Sequence, residues 1–301
     1  MSYTSDLKET IIHESNHSLE ELAGFIHGAA NLHLRGRGVV GLSFTSDKNF
    51  ILRHFYESLK AFTKEEIHLE KTKEISERYQ LRLEDATSLL ETLGVLREGS
   101  LHFDVDMVLI DNERKRREFI KGVFIATGVM SDPTKDYHLE MSYERDDFVE
   151  AMIHILSPYD LEFLRAKRRD RHILYLKKSE SIMDFLTIIG AVSSALDFEN
   201  TRIIKSVKND VNRQVNCETA NINKTVSAAR KHLDAIEYIS QKVGLDSLTD
   251  VLREVAQKRL DEPELSLKEI GEMCDPPISK SGVNHRLERI LKICEKLKET
   301  P

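Results

Sequence analysis

Leu22-Ala23-Gly24-Phe25-Ile26-His27-Gly28-Ala29-Ala30 and Ile120-Lys121-Gly122-Val123-Phe124-Ile125-Ala126-Thr127-Gly128 are two versions of one pattern. In each, small residues recur every three or four positions along an otherwise apolar helical stretch. A stripe of that kind lets two helix backbones approach closely, where bulkier side chains would hold the axes about 10 Å apart. One such segment alone reads equally well as a Gly/Ala-rich core helix. Two of them, with Gly24 and Gly122 placed 98 residues apart and each followed by a strand, point to an internal duplication packed about a pseudo-two-fold axis.

Working outward, residues 18–34 carry apolar side chains at helical spacing (Leu19, Leu22, Phe25, Ile26, Ala29), 39–45 alternate as a strand, and 48–62 return to helix. Residues 66–71 and 77–83 read as paired strands, and 84–93 as a short helix stopped by Gly94. The same order then restarts: helix 114–127, strand 137–142, helix 145–156, strands 160–166 and 172–177, and a short helix 179–189 stopped by Gly190. The basic run Lys167-Arg168-Arg169-Asp170-Arg171 falls between two strands, where a solvated turn and a phosphate contact are equally good readings. Beyond about residue 195 the pattern is helical throughout, over 195–214, 221–242, 248–260, 267–273 and 279–298. The expected domains are a first repeat 1–110, a second repeat 111–195, a helical connector 196–215 and an all-α domain 216–301.

The tail carries the second informative pattern. Ser266 stands as N-cap to 267–273 and Glu269 completes a capping box. Asp275-Pro276-Pro277 forces a turn, and Ser279 or Ser281 can cap the helix that follows. That helix has an apolar stripe of Val283, Leu287, Ile290 and Leu291, and its early polar positions are Lys280, Ser281, Asn284, His285, Arg286 and Arg289. The spacing predicts a helix-turn-helix whose second helix offers donors and acceptors to base edges near its start and bases to phosphates along its flank. A plain amphipathic helix with a solvated basic face is the competing reading, which the preceding helix and tight turn weaken.

Net charge of −7 does not oppose this, because the charge is unevenly placed. Residues 1–199 hold 26 Lys and Arg against 35 Asp and Glu, whereas 200–301 hold 18 against 16. Residues 201–231 carry seven bases, Arg213 and Lys224 among them, and two acids. Local sign governs phosphate attraction, since salt screens charges beyond about 10 Å.

The paired motif helices resemble those of the LAGLIDADG homing endonucleases. In that family each helix presents an acid at its end, and the two acids share divalent metal at the DNA backbone. The matching positions here are Ala29 and Thr127, neither of which can serve as a carboxylate ligand. The resemblance therefore implies the fold without DNA cleavage. With residues 212–225 and 275–287, these features also closely resemble the WhiA family, bacterial regulators of sporulation and cell division. The likeness is strongest from about residue 114 to 297. It weakens over 13–110, where members often have paired cysteines before the first motif helix and this chain has His17-Ser18-Leu19-Glu20.

The fold expected is thus an α+β domain of two LAGLIDADG-like repeats followed by an all-α helix-turn-helix domain. The resemblance implies a non-enzymatic, promoter-binding regulator in the cytoplasm and on the nucleoid. Its partners would be double-stranded DNA and other transcription or cell-division proteins, with no membrane, cofactor or metal. Asn284, His285 and Arg286 would lie nearest base edges, Lys280 and Arg289 on phosphates, and Arg213 and Lys224 would add backbone contacts.

Three other signals are weaker. His13-Glu14-Ser15-Asn16-His17 matches the HExxH signature of zinc proteases, but only twelve residues precede it, and Ser15 and Asn16 favour a helix boundary. Cys217, Cys274 and Cys294 are scattered and imply neither disulfides nor a zinc site. The N-terminal residues lack the pattern of a signal peptide, and no apolar run approaches membrane-spanning length. A protein-interaction or chromosome-organising factor with weak DNA binding is the alternative reading.

Overall fold

The computed structural model describes residues 2–71 and 78–299, and the chain divides into two compact units, Met1–Ser206 and Val207–Pro301. In the first unit, helix α1 (Tyr3–His13) precedes the first repeat, which opens with α2 (Leu19–Ala29). There follow β1 (Asn31–Gly36), β2 (Val39–Ser46), α3 (Asn49–Phe62), β3 (Ile67–Lys71), β4 (Tyr79–Leu83) and α4 (Thr87–Thr92). A small hairpin, β5 (Leu96–Arg97) and β6 (Ser100–Leu101), leads to the second repeat. That repeat runs α5 (Glu113–Thr127), β7 (Gly128–Met130), β8 (Leu139–Tyr143), α6 (Asp146–Leu156), β9 (Leu164–Arg168), β10 (Arg171–Leu176) and α7 (Ser179–Ile188).

The duplication is explicit in the sheets. Each is antiparallel and four-stranded, in the orders β1-β2-β4-β3 and β7-β8-β10-β9. Alternation sorts their faces: Val40, Leu42 and Phe44 of β2 are buried in the core, as are Leu139, Met141 and Tyr143 of β8.

The two motif helices pack on each other through their glycines. A Cβ added to Gly24 would lie 2.1 Å from the Phe119 carbonyl oxygen, and one added to Gly122 would lie 2.0 Å from that of Glu21. Both pairs are related by the same 98-residue offset, so the contact is reciprocal about the pseudo-two-fold axis. No side chain larger than hydrogen fits at either place without forcing the backbones apart.

Several elements differ from the sequence reading. The helix expected over 18–34 ends at Ala29, and Asn31–Gly36 forms the outer strand β1. Leu32 and Leu34 suit both periods, and the turn at Gly36, Arg37 and Gly38, all at positive φ, returns the chain as a hairpin. Helix α1 and the three-residue β7 were not foreseen. Strand β9 starts at Leu164 rather than 160, because Asp160 is left-handed (φ 51). The basic run 167–171 spans the end of β9, a two-residue turn and the start of β10. Glu77, the expected start of the fourth strand, lies outside the described residues. The helices expected over 195–214 and 221–242 form one, α8 (Val192–Lys242), since no Gly or Pro interrupts the polar residues between them.

In the second unit the last turns of α8 (Ala235, Ile236, Ile239) pack with α9 (Asp250–Asp261), α10 (Leu267–Glu272) and α11 (Lys280–Glu299) around Leu252, Val255, Ile270, Val283, Leu287 and Ile290. Buried Arg259 donates to the carbonyls of Pro263 and Leu265 at 3.2 and 2.7 Å, fixing the loop between α9 and α10. Among the described residues no helix is long and apolar enough to cross a membrane.

Candidate nucleic-acid interface

Helix α10 begins with the expected capping box: the Ser266 amide donates to Glu269 Oε2 at 2.7 Å, and the Glu269 amide to Ser266 Oγ at 3.3 Å. Gly271 makes the following turn possible. Its carbonyl accepts the Ile278 amide at 2.9 Å, and a Cβ there would lie 2.3 Å from the Ile278 carbonyl oxygen. The turn delivers the chain to Ser279, whose Oγ accepts the Gly282 amide at 3.2 Å and so caps α11.

Val283, Leu287 and Ile290 are fully buried and Leu291 partly so, which fixes the roll of α11. Lys280, Ser281, Asn284, His285 and Arg289 are all exposed. Asn284 Nδ2 donates to Glu288 Oε1 at 2.9 Å, and Ser281 Oγ lies 2.9 Å from Ser279 Oγ. Arg286 is placed differently. It is partly buried, with Nη1 3.4 Å from the Val251 carbonyl and 3.7 Å from Glu254 Oε2 on α9. Arg213 and Lys224 are exposed on α8, away from the packed core, and Arg213 is paired with Asp210. The structure thus leaves five of the eight residues exposed on α11 and gives Arg286 a packing partner that sequence spacing did not reveal.

In the first unit, Ala29 and Thr127 occupy the ends of the motif helices, beside a cleft of about 960 Å³. Thr127 Oγ1 donates back to the Val123 carbonyl at 2.9 Å. The acids nearest in that cleft are already paired: Asp47 with Lys48 at 3.1 Å and Glu144 with Arg171 at 3.0 Å. A divalent ion of the endonuclease kind does not fit this donor set, and among the described residues no cluster of three His, Cys, Asp or Glu could hold one. The HExxH match also dissolves. His13 ends α1, whereas His17 lies in the next loop at φ 51, stacked on His54, so the two imidazoles do not share a helix face.

A buried ionic cluster, unseen in the sequence, joins the first turn of α2 to the middle of α5. Glu21 Oε1 lies 2.5 Å from His54 Nε2, and Glu21 Oε2 lies 2.8 Å from Lys121 Nζ, which also reaches Glu118 at 2.7 Å. Burial alone would raise the Glu21 carboxyl, but the His54 hydrogen bond and the Lys121 charge outweigh it and hold the group at about 2. Glu21 and Lys121 sit on opposite motif helices, so this pair locks the two repeats together. Lys121, a charged residue inside the otherwise apolar second motif stretch, was the available signal.

Comparison with known proteins accords with this architecture. Residues 116–208 match the family described as the WhiA LAGLIDADG-like domain, and residues 211–294 the WhiA C-terminal HTH domain. The chain is 37% identical over 315 residues to the probable cell division protein WhiA of Staphylococcus haemolyticus, covering 99% of this chain and 98% of that one. It is 46% identical over 214 residues to the protein of that name from Clostridium perfringens, covering 70% and 68%. The crystal structure of full-length WhiA from Thermatoga maritima superposes with a TM-score of 0.59 at 26% identity, covering 98% of this chain and 99% of that one. Two duplicated αβ repeats with glycine-packed motif helices and a C-terminal helix-turn-helix, matched end to end in sequence, make this chain a member of the WhiA family.

Proposed function

We propose that the protein is a sequence-specific DNA-binding transcription regulator tied to bacterial cell division and sporulation-type development, acting in the cytoplasm on the nucleoid. Its endonuclease-like domain is, in this reading, catalytically inactive. The observation that carries the proposal is the exposed polar start of α11, held at a fixed roll by Val283, Leu287 and Ile290. A helix so anchored enters the major groove with Asn284 and His285 toward base edges and Arg286 beside them. Lys280 and Arg289 take phosphates, while Arg213 and Lys224 on α8 add sequence-independent contacts. Ala29 and Thr127 support the loss of cleavage, because neither offers a carboxylate to a metal. In this division of labour residues 1–110 and 111–195 are the two repeats, 196–215 connect, and 216–301 read DNA.

The test is a titration of the full chain and of residues 1–200 against labelled promoter duplex at two salt concentrations. Tight, salt-sensitive binding that is lost with the tail supports the reading. Equal binding by the truncation would transfer recognition to the first unit, and no binding by either would overturn it. One observation favours a protein-contact role alongside: Val207, Val211, Val215, Ile222 and Val226 of α8 are each more than half exposed.

A further inference from the structure

The cleft at the ends of the motif helices has lost the acids that would make it a cation site, and what lines it has the opposite character. Its walls carry five Lys or Arg side chains against two acids, Asp47 and Glu144, both already paired with bases. Aromatic surface comes from Phe44, Phe50, Phe103 and Phe148. Among these bases Lys8 is unlike the rest: it is only 8% exposed, it faces the cleft from α1, and no hydrogen bond or ion pair reaches its ammonium among the described residues. A lysine so largely buried, its ammonium opening to the cleft without a partner, gains where an anion in the cleft supplies the counter-charge.

The surroundings show where that counter-charge would sit. Helix α1 packs against α3, and Asp47, just before α3, is the carboxylate whose charge acts on Lys8. Helix α3 has no side-chain cap, and its first three amides, of Asn49, Phe50 and Ile51, have no partner among the described residues. An oxyanion placed there meets the ammonium and the positive end of a helix together.

We propose that this cleft binds a small organic anion with a planar, apolar body, its phosphate or carboxylate held between Lys8 and the open first turn of α3. A cleft of about 960 Å³ takes a metabolite-sized molecule. A duplex is the poorer occupant, because Lys8 lies beneath the surface, where a DNA backbone phosphate does not descend. This inference concerns the first unit alone and stands or falls independently of the tail as DNA reader.

Burial also lowers the Lys8 ammonium to about 8, against the pull of Asp47, which makes its amine reportable by an aldehyde probe. Full-length protein is treated with pyridoxal 5′-phosphate, a planar aromatic phosphate monoester. The neutral amine adds to the aldehyde carbon, water leaves, and the resulting imine is reduced by borohydride hydride to a stable secondary amine that peptide mass mapping locates. Lys8 should be labelled about tenfold faster than other lysines. Excess inorganic phosphate should protect it, and pyridoxal, which lacks the phosphate, should label it far more slowly. Lys8→Arg should abolish the adduct yet keep inorganic phosphate able to raise the melting temperature, an effect that Lys8→Met loses. Labelling spread evenly over lysines, or pyridoxal reacting as fast as its phosphate, would overturn the proposal. So would duplex DNA protecting Lys8 where inorganic phosphate does not.

Discussion

The guanidinium of Arg286 on α11 lies 3.7 Å from one carboxylate oxygen of Glu254 on α9, and the other oxygen accepts the Asp275 amide at 2.7 Å. One acid thereby ties α11 and the turn before it to α9, the helix that precedes the helix-turn-helix. The tie adds a polar restraint to the roll that Val283, Leu287 and Ile290 set.

Glu254→Gln keeps an acceptor for the Asp275 amide but removes the charge facing Arg286. Both side chains are about a quarter exposed, so solvent screens the pair and the expected loss is modest, about 1 kcal/mol in urea denaturation. Glu254→Ala also strands the amide and should cost more. Equal stability of both variants with wild type would show that the tie is incidental.

Asn284→Ala should leave the melting temperature unchanged while weakening operator binding by about 1–3 kcal/mol, the range for one good base contact. Lys280→Ala should weaken operator and random duplex alike and flatten the salt dependence. Arg286→Ala should lower both stability and operator affinity, because its guanidinium also serves α9. Competition titrations with the two duplexes, beside thermal melts, separate the three outcomes.

Gly24→Ala and Gly122→Ala each drive a Cβ to about 2 Å from a backbone carbonyl of the opposite motif helix. Neither carbonyl can retreat without parting the helices, so each change should cost 3 kcal/mol or more, on the order of the larger single-site effects. Gly36→Ala serves as the control: it lies at positive φ but meets nothing within 4 Å, and about 1 kcal/mol is expected. Chemical denaturation that ranks the control worst would contradict the close-packed helix pair.

Acid should weaken the first unit in two windows. His27 is held down to about 4, by burial first and then by the Arg145 charge, so the unfolded chain takes up its proton more readily. Its contribution is therefore lost as pH falls from about 6.5 toward 4. Glu21, held at about 2, contributes stability that is present above about 4.5 and lost as pH falls toward 2. Glu21→Gln should remove the second window and, by leaving buried Lys121 and His54 short of their carboxylate, cost about 3–5 kcal/mol at neutral pH. Melting curves from pH 7 to 2 check both; a variant as acid-sensitive as wild type would refute the assignment.

Much of this architecture is legible in residue order because it repeats. Gly24 and Gly122, the strands after them, and Gly94 and Gly190 closing the short helices recur at nearly constant spacing, and sterics leave such glycines little alternative. The capping box at Ser266 is local and was equally readable. What escaped depends on tertiary partners. Strand β1 shares its leucines with a plausible helix, and its pairing to β2 decides between them. Arg286 looked as free as Asn284 until Glu254, 32 residues earlier, came beside it. Lys8 belongs to a helix outside the duplicated frame, so its burial had no counterpart to suggest it.

The reciprocal glycine contact also bears on how the chain is made. Each motif helix is shaped to fit the other, and the first has left the ribosome long before the second exists. At about 5–20 residues per second, the stretch around Gly24 waits on the order of 5–20 s for its complement. Through that interval the glycine face of α2 has no matching helix, so the two repeats can close on each other only after the stretch around Gly122 has been made.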